Sequence, residues 1–236
     1  MSIDNKKINE ELVQFWDEAI KLPEDYKKQE LDRVDRDYKE LAPSEKLLNA
    51  VSELGSCKKV LDYGCGSGWA SIVAIKSGCK DVTAVDLGNN IIDAINFYAE
   101  VYGVKEHLNA IAISPDWLHS VPSETYDGFV CSNVLDVIPL ETTQDIIEQV
   151  ARVVKKDAKI VIGLNFFMPE ETAKSRGIEL VDGKYLIMDG VLRLTSLKDE
   201  EWIQLFSPLF EIVKLDYFAW PGEPRETRRL FILKKK

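Results

Sequence analysis

Read for hydrophobicity alone, the chain passes from charged segments with spaced apolar positions to short, nearly unbroken apolar runs. Ile8, Leu12, Phe15, Trp16 and Ile20 recur at helical spacing among charges, which predicts an amphipathic helix closed by Leu22-Pro23. A second charged helix is expected over residues 24–41. Ala42-Pro-Ser-Glu opens a third, which runs to Gly55. The pattern then changes. Lys59-Val-Leu, Val82-Thr-Ala-Val85, Leu108-Asn-Ala-Ile-Ala-Ile113, Tyr126-Asp-Gly-Phe-Val-Cys131 and Lys159-Ile-Val-Ile-Gly-Leu164 are short apolar runs of the kind that form buried strands. Helices are expected between them, over residues 69–75 with a stop at Ser77-Gly78, over 89–101, and over 141–155 with Ile146, Ile147, Val150 and Val154 spaced along it. Ser114-Pro-Asp116-Trp117 reads as a loop, and Lys155-Lys-Asp157 as a turn.

Residues 165–195 read differently. Residues 179–193 hold two Asp-Gly pairs, at 182 and 189, between apolar runs. Asp-Gly suits tight hairpin turns, whose central residues need φ > 0, so a small β-insert is expected after the fifth strand. A helix over 196–206 and strands over 210–218 and 227–233 complete the chain.

Length and charge narrow the options. At 236 residues the chain suits one α/β domain with an added segment, and 45% apolar content is that of a globular protein. No stretch approaches the roughly 20 apolar residues of a membrane span. The first residues lack a signal-peptide core, which places the protein in the cytoplasm as an expectation. Cys57, Cys65, Cys79 and Cys131 have neither C-x-x-C spacing nor companion histidines, so reduced thiols and no metal site are expected. A formal charge of −10 argues against nucleic acid as substrate.

The chemistry concentrates in Val60-Leu-Asp-Tyr-Gly-Cys-Gly-Ser-Gly-Trp69. A strand leads into three glycines at alternate positions and then into a helix. Such a loop turns sharply and brings bare backbone to a ligand, at which the helix N-terminus also points. The dinucleotide fingerprint G-x-G-x-x-G fails, because the sixth position from Gly64 is Trp69. A phosphate loop fails too, since no Lys-Ser/Thr pair follows Gly68. Asp86 ends the second strand 20 residues after Gly66, where an acid can accept both hydroxyls of a ribose; the lesser alternative is a cap for the next helix.

With Asp62 two residues before the first glycine, the Asp-x-Gly-x-Gly-x-Gly pattern resembles motif I of the class I S-adenosylmethionine-dependent methyltransferases. Tyr126-Asp-Gly-Phe-Val resembles that family's fourth strand, and the likeness runs from Ser44 to Leu164, more weakly from Ser196 onward. The resemblance implies a Rossmann-like α/β fold. Its mostly parallel sheet has seven strands in the order 3-2-1-4-5-7-6, strand 7 antiparallel, with helices on both faces. Residues 1–41 would form a helical lid, with Trp16, Tyr26 or Tyr38 facing the site, and 42–236 the methyltransferase domain, with the insert at 165–195. The resemblance also implies S-adenosylmethionine as cofactor, S-adenosylhomocysteine as product, and a small-molecule acceptor. It assigns cofactor contacts to Asp62, Gly64, Cys65, Gly66, Gly68, Asp86, Leu87, Asp116, Trp117 and Asn133. Asp136, Tyr185 and Arg193 are the candidates on the acceptor side, with Arg225 and Arg228 behind them; Asp136 could face substrate or cap the following helix. The rivals are a non-catalytic binding module and an NAD-dependent oxidoreductase. The acceptor atom and the oligomeric state stay open.

Overall fold

The computed structural model describes residues 5–178 and 180–236. Residues 1–4, the start of the N-terminus read above, and Glu179, at the head of the expected insert, lie outside the described residues.

Two helices come first, α1 (Asn5–Ile20) and α2 (Glu24–Asp32). The second stops at Asp32 and does not reach Leu41. It buries no residue, Val34 beyond it is fully exposed, and the Asp37 side chain takes the Lys39 N–H to start a separate 3₁₀ turn at Tyr38–Leu41. Local side-chain capping thus competes with a helix that has no apolar face to hold it. Helix α3 (Glu45–Ser52) starts where its sequence requires, with Ser44 Oγ accepting the Leu47 N–H at 3.2 Å.

The alternating body follows: β1 (Val60–Tyr63), α4 (Trp69–Lys76), β2 (Val82–Asp86), α5 (Asn89–Val101), β3 (Leu108–Ala112), α6 (Trp117–Ser120), β4 (Tyr126–Ser132), α7 (Leu140–Val153) and β5 (Val154–Leu164). Two readings change here. Trp117 opens a short helix and does not extend a loop. Lys155-Lys-Asp157 lies within β5 as a kink: Asp157 has φ +64°, and the register against β4 shifts between Tyr126 and Gly128.

After β5 the insert holds a helix the apolar pattern did not announce, α8 (Glu170–Ser175), and then the hairpin of β6 (Tyr185–Met188) and β7 (Val191–Thr195). Pro169 precedes α8, and Glu170 and Glu171 complement the positive end of its dipole. Asp189 and Gly190 have φ of +53° and +79°, the two positive values a two-residue turn between Met188 and Val191 demands. Helix α9 (Asp199–Phe206), β8 (Phe210–Phe218) and β9 (Arg228–Lys235) end the described chain.

The main sheet runs β3-β2-β1-β4-β5-β9-β8. Strands β1 to β5 are parallel, and β9 pairs antiparallel with both β5 and β8, so the expected order holds with β8 and β9 as its sixth and seventh strands. Successive strand residues feed two cores. Leu61, Phe129, Cys131, Ile160 and Ile162 pack under α7 and α9, whereas Val60, Val130 and Val161 pack under α3 and α4. Burial on both faces is why these strands read as unbroken apolar runs. Because β1, β2 and β4 run parallel, their C-terminal ends lie at one edge, where ligands of such sheets bind.

Candidate active site

At that edge β1 gives way to the glycine loop. The Gly64 and Cys65 N–H groups donate to Val85 O at 2.9 and 3.0 Å, so the loop stays tied to β2 as it turns. Gly64, Gly66 and Gly68 have φ of +69°, +51° and +83°. Their surroundings differ. A Cβ on Gly64 would stand 2.3 Å from Val134 Cγ2, and one on Gly68 would stand 2.3 Å from Ile95 Cγ1. These two permit close packing on the β4 loop and on α5. A Cβ on Gly66 would meet only Ile20 Cδ1, at 3.8 Å, so Gly66 turns a bare backbone face into the cleft. The Cys65 side chain points away, into a cluster with Ile91 and Ile95, and offers a ligand only its main chain.

Asp62 is buried at the end of β1. Its Oδ2 accepts the Ser71 Oγ hydrogen at 2.7 Å and the Ser71 N–H at 3.1 Å. It thereby satisfies a first-turn amide of α4, whose N-cap, Gly68, has no side chain to do so. Burial pushes its carboxyl up to about 7 against the pull of those hydrogen bonds. Asp86 reaches from β2 to the loop: Oδ2 accepts the Gly66 N–H at 3.0 Å and Oδ1 the Leu87 N–H at 2.8 Å. Burial raises its pKa, and these amides oppose the rise. Asp86 does not cap α5; that helix is capped from α1, by Asp17.

Asp116 lies exposed beyond β3, where Ser114 Oγ donates to its Oδ1 at 2.6 Å and holds its carboxyl below the usual range. Trp117 is half-buried against the core under α7. Asn133, just past β4, has φ +57°; its N–H donates to Gly163 O at 2.8 Å, and its Oδ1 is buried with no partner.

Asp136 is fully buried, with Oδ2 accepting the Asn165 N–H and Oδ1 unpartnered. Burial pushes its carboxyl up to about 6. It does not cap α7, which Pro139 precedes. Its main-chain O takes the Thr195 N–H at 2.6 Å and so docks the hairpin onto the β4 loop. Tyr185 is buried with Ile8, Leu12, Val191 and Leu192, and Arg193 lies with its guanidinium 3.8 Å from the Phe15 ring centroid. Both therefore sit where α1 meets the hairpin. Arg228 stacks 3.7 Å from the Trp220 ring centroid and is held by Glu223 and Asn165. Arg225 is exposed in the loop before β9.

Of the proposed lid aromatics, Tyr26 bonds Tyr98 through their hydroxyls at 2.9 Å, and Trp16 is partly exposed beside Phe15. Tyr38 packs against the core under α3 and α4. Of the α1 residues that close on the glycine loop, Asp17 escaped the sequence reading and Ile20 stood there only as an apolar position of the helix. The available signal was that α5 starts at Gly88-Asn-Asn with no first-turn acid of its own and needs a cap from elsewhere.

The site fits an S-adenosyl ligand. It has an open-faced glycine, a carboxylate at the tip of β2, an unpartnered acceptor on Asn133, and no Lys or Arg in the loop. Residues 60–157 match the family model described as "Methyltransferase domain". Ribosomal protein L11 methyltransferase of Cupriavidus taiwanensis is 40% identical over 76 residues, 32% of this chain and 23% of that protein. The enzyme of the same name from Legionella pneumophila (strain Corby) is 43% identical over 63 residues, 27% of this chain and 22% of that protein. The chain thus spans about a quarter of the length of the curated relatives it matches. Among solved structures, the Burkholderia thailandensis 1,6-didemethyltoxoflavin-N1-methyltransferase, with 1,6-didemethyltoxoflavin and S-adenosylhomocysteine bound, has a TM-score of 0.60. It is 17% identical, covering 82% of this chain and 80% of its own. N-methyltransferase NodS from Bradyrhizobium japonicum WM9, in complex with S-adenosylhomocysteine, has a TM-score of 0.58 at 16% identity, covering 89% of this chain and 97% of its own. Motif, sheet order and family match converge: residues 60–157 form a class I S-adenosylmethionine-dependent methyltransferase domain.

Proposed function

We propose that this protein transfers the methyl group of S-adenosylmethionine to a small-molecule acceptor. The observation that carries the small-acceptor reading is the roof. Helix α1 packs on α5 at one end and on β7 of the hairpin at the other, across the C-terminal edge of the sheet. A helix laid there favours an acceptor small enough to pass beneath it. The Burkholderia neighbour, solved with 1,6-didemethyltoxoflavin bound, supports the same reading at the level of fold.

S-adenosylmethionine, when bound, supplies a methyl group already activated by its sulfonium, so the chain's own work is holding and orientation. The backbone of Gly64, Gly66 and Gly68 would take its amino-acid end. Asp86 would accept from the ribose hydroxyls, with Leu87, Asp116 and Trp117 beside the base, and Asn133 would offer its unpartnered Oδ1. Asp62 positions the loop by holding α4 through Ser71. Asp86, partly exposed at the tip of β2, would put a carboxylate beside a cationic ligand.

Thermal denaturation with S-adenosylmethionine, S-adenosylhomocysteine and NAD in parallel tests the cofactor. Ligand at 100 times its Kd adds about 2.7 kcal/mol. A shift with the S-adenosyl compounds alone is expected, and a shift with NAD alone defeats the reading. Transfer of labelled methyl into a fractionated metabolite extract tests the acceptor class. Label entering only protein would replace the small-molecule acceptor with a protein one.

A further inference from the structure

Helix α5 begins without a cap of its own. Gly88 stands at the N-cap, and the first turn, Asn89-Asn90-Ile91, contains no acid. Its free amides are taken by Asp17 of α1. Asp17 Oδ1 accepts the N–H of Asn90 at 2.7 Å and of Ile91 at 3.3 Å, and Oδ2 accepts the Asn90 side-chain amide at 3.0 Å. Gly88 is shaped to this contact and not to a turn: its φ of −96° suits any residue, but a Cβ there would stand 2.2 Å from Asp17 Oδ1. Three residues along α1, and so on the same helical face, Ile20 closes over Gly66. Asp86, which holds the Gly66 N–H, lies two residues before Gly88. One carboxylate therefore joins the roof to the segment that carries the ribose-binding acid.

We propose that Asp17 is a positioning residue for the cofactor site. By capping α5 it seats α1 with Ile20 against the glycine loop, so that an S-adenosyl ligand leaves only after the Asp17 hydrogen bonds break. This inference rests on the methyltransferase reading of the cleft. A side-chain cap of ordinary strength corresponds to roughly 3- to 30-fold in an equilibrium or rate.

The test is the release rate of S-adenosylhomocysteine from the full chain, followed by stopped-flow intrinsic tryptophan fluorescence. Asp17→Ala is expected to speed release by roughly 3- to 30-fold. Asp17→Asn, an equally good cap, is expected to restore most of the slow rate. Gly88→Ala attacks the same contact from the other side and covers the case in which Asp17→Ala does not fold. It should speed release similarly, and the double variant should be no faster than either single one. Variants that lose thermal stability yet release at the wild-type rate would reduce Asp17 to a structural cap and overturn the proposal. Wild-type protein that binds no S-adenosylhomocysteine by calorimetry would overturn the methyltransferase reading itself, an outcome distinct from the first.

Discussion

Gly64 and Gly66 are two residues apart with similar backbone angles, yet the packing assigns them different work. Alanine at 64 meets both a left-handed φ and the Val134 side chain, and is expected to cost about 1–3 kcal/mol of stability in urea denaturation. Alanine at 66 has the same left-handed φ but meets only Ile20 Cδ1, at 3.8 Å, so it should cost about 1 kcal/mol from the backbone alone, less than at 64, while weakening S-adenosylhomocysteine binding in calorimetry. Equal stability losses at the two positions would refute that division. Asp136 carries a pH dependence. Burial holds its carboxyl at about 6 and that of Asp62 at about 7, above the ordinary aspartate range. Between about pH 4 and pH 7 the folded state then holds more protons than the unfolded one, so stability is full at the acid end and falls as pH rises through 6 and 7. Asp136→Asn, neutral throughout, should flatten that slope by at most about 1.4 kcal/mol per pH unit. Parallel slopes for the two proteins would remove Asp136 from the account.

Among the elements, those legible in the sequence are the ones whose neighbours are dictated locally. The five parallel strands announce themselves because both faces are buried, and the Asp-Gly turn of the hairpin because two consecutive residues need φ > 0. Helix α8 was not legible, since its six residues bury only Ala173 and rest on a proline start and two acids. The break after Asp32 was hidden for the opposite reason: a charged segment keeps its helical look without any face to pack. In the site, Asp62 and Asp86 were visible from their spacing to the glycines. Asp17 was not, because its partners lie more than 70 positions away. Arg193 shows the same limit. By sequence it is one candidate for the acceptor side, and its partner Phe15, on α1 at the other end of the chain, could not be read there. A double-mutant cycle of Arg193→Ala and Phe15→Ala should return a coupling of about 0.5–2 kcal/mol, and zero coupling would remove this pair from what holds the hairpin to α1.

Across the whole molecule the roof is the lightly held part. Ile8 and Leu12 are the buried apolar residues of α1 among those described, and α2 has none. The sheet beneath is buried on both faces. Native-state hydrogen exchange should find α1 and α2 opening far below the global free energy while β1, β4 and β5 exchange only on global unfolding. S-adenosylhomocysteine should slow α1 and the first turn of α5 together. Exchange in α1 as slow as in β4 would contradict the roof's independence.

The place of β9 has a consequence for biosynthesis. The last strand in sequence lies inside the sheet, between β5 and β8, with Leu164 paired to Arg229. A nascent chain that has completed β5 still has roughly 70 residues to go before β9 exists, about 4–14 s at ordinary elongation rates. Throughout that interval the apolar edge of β5 has no neighbour on the ribosome, and an unpaired apolar edge is a template for aggregation. The length of that exposure is set by the order of the strands along the chain.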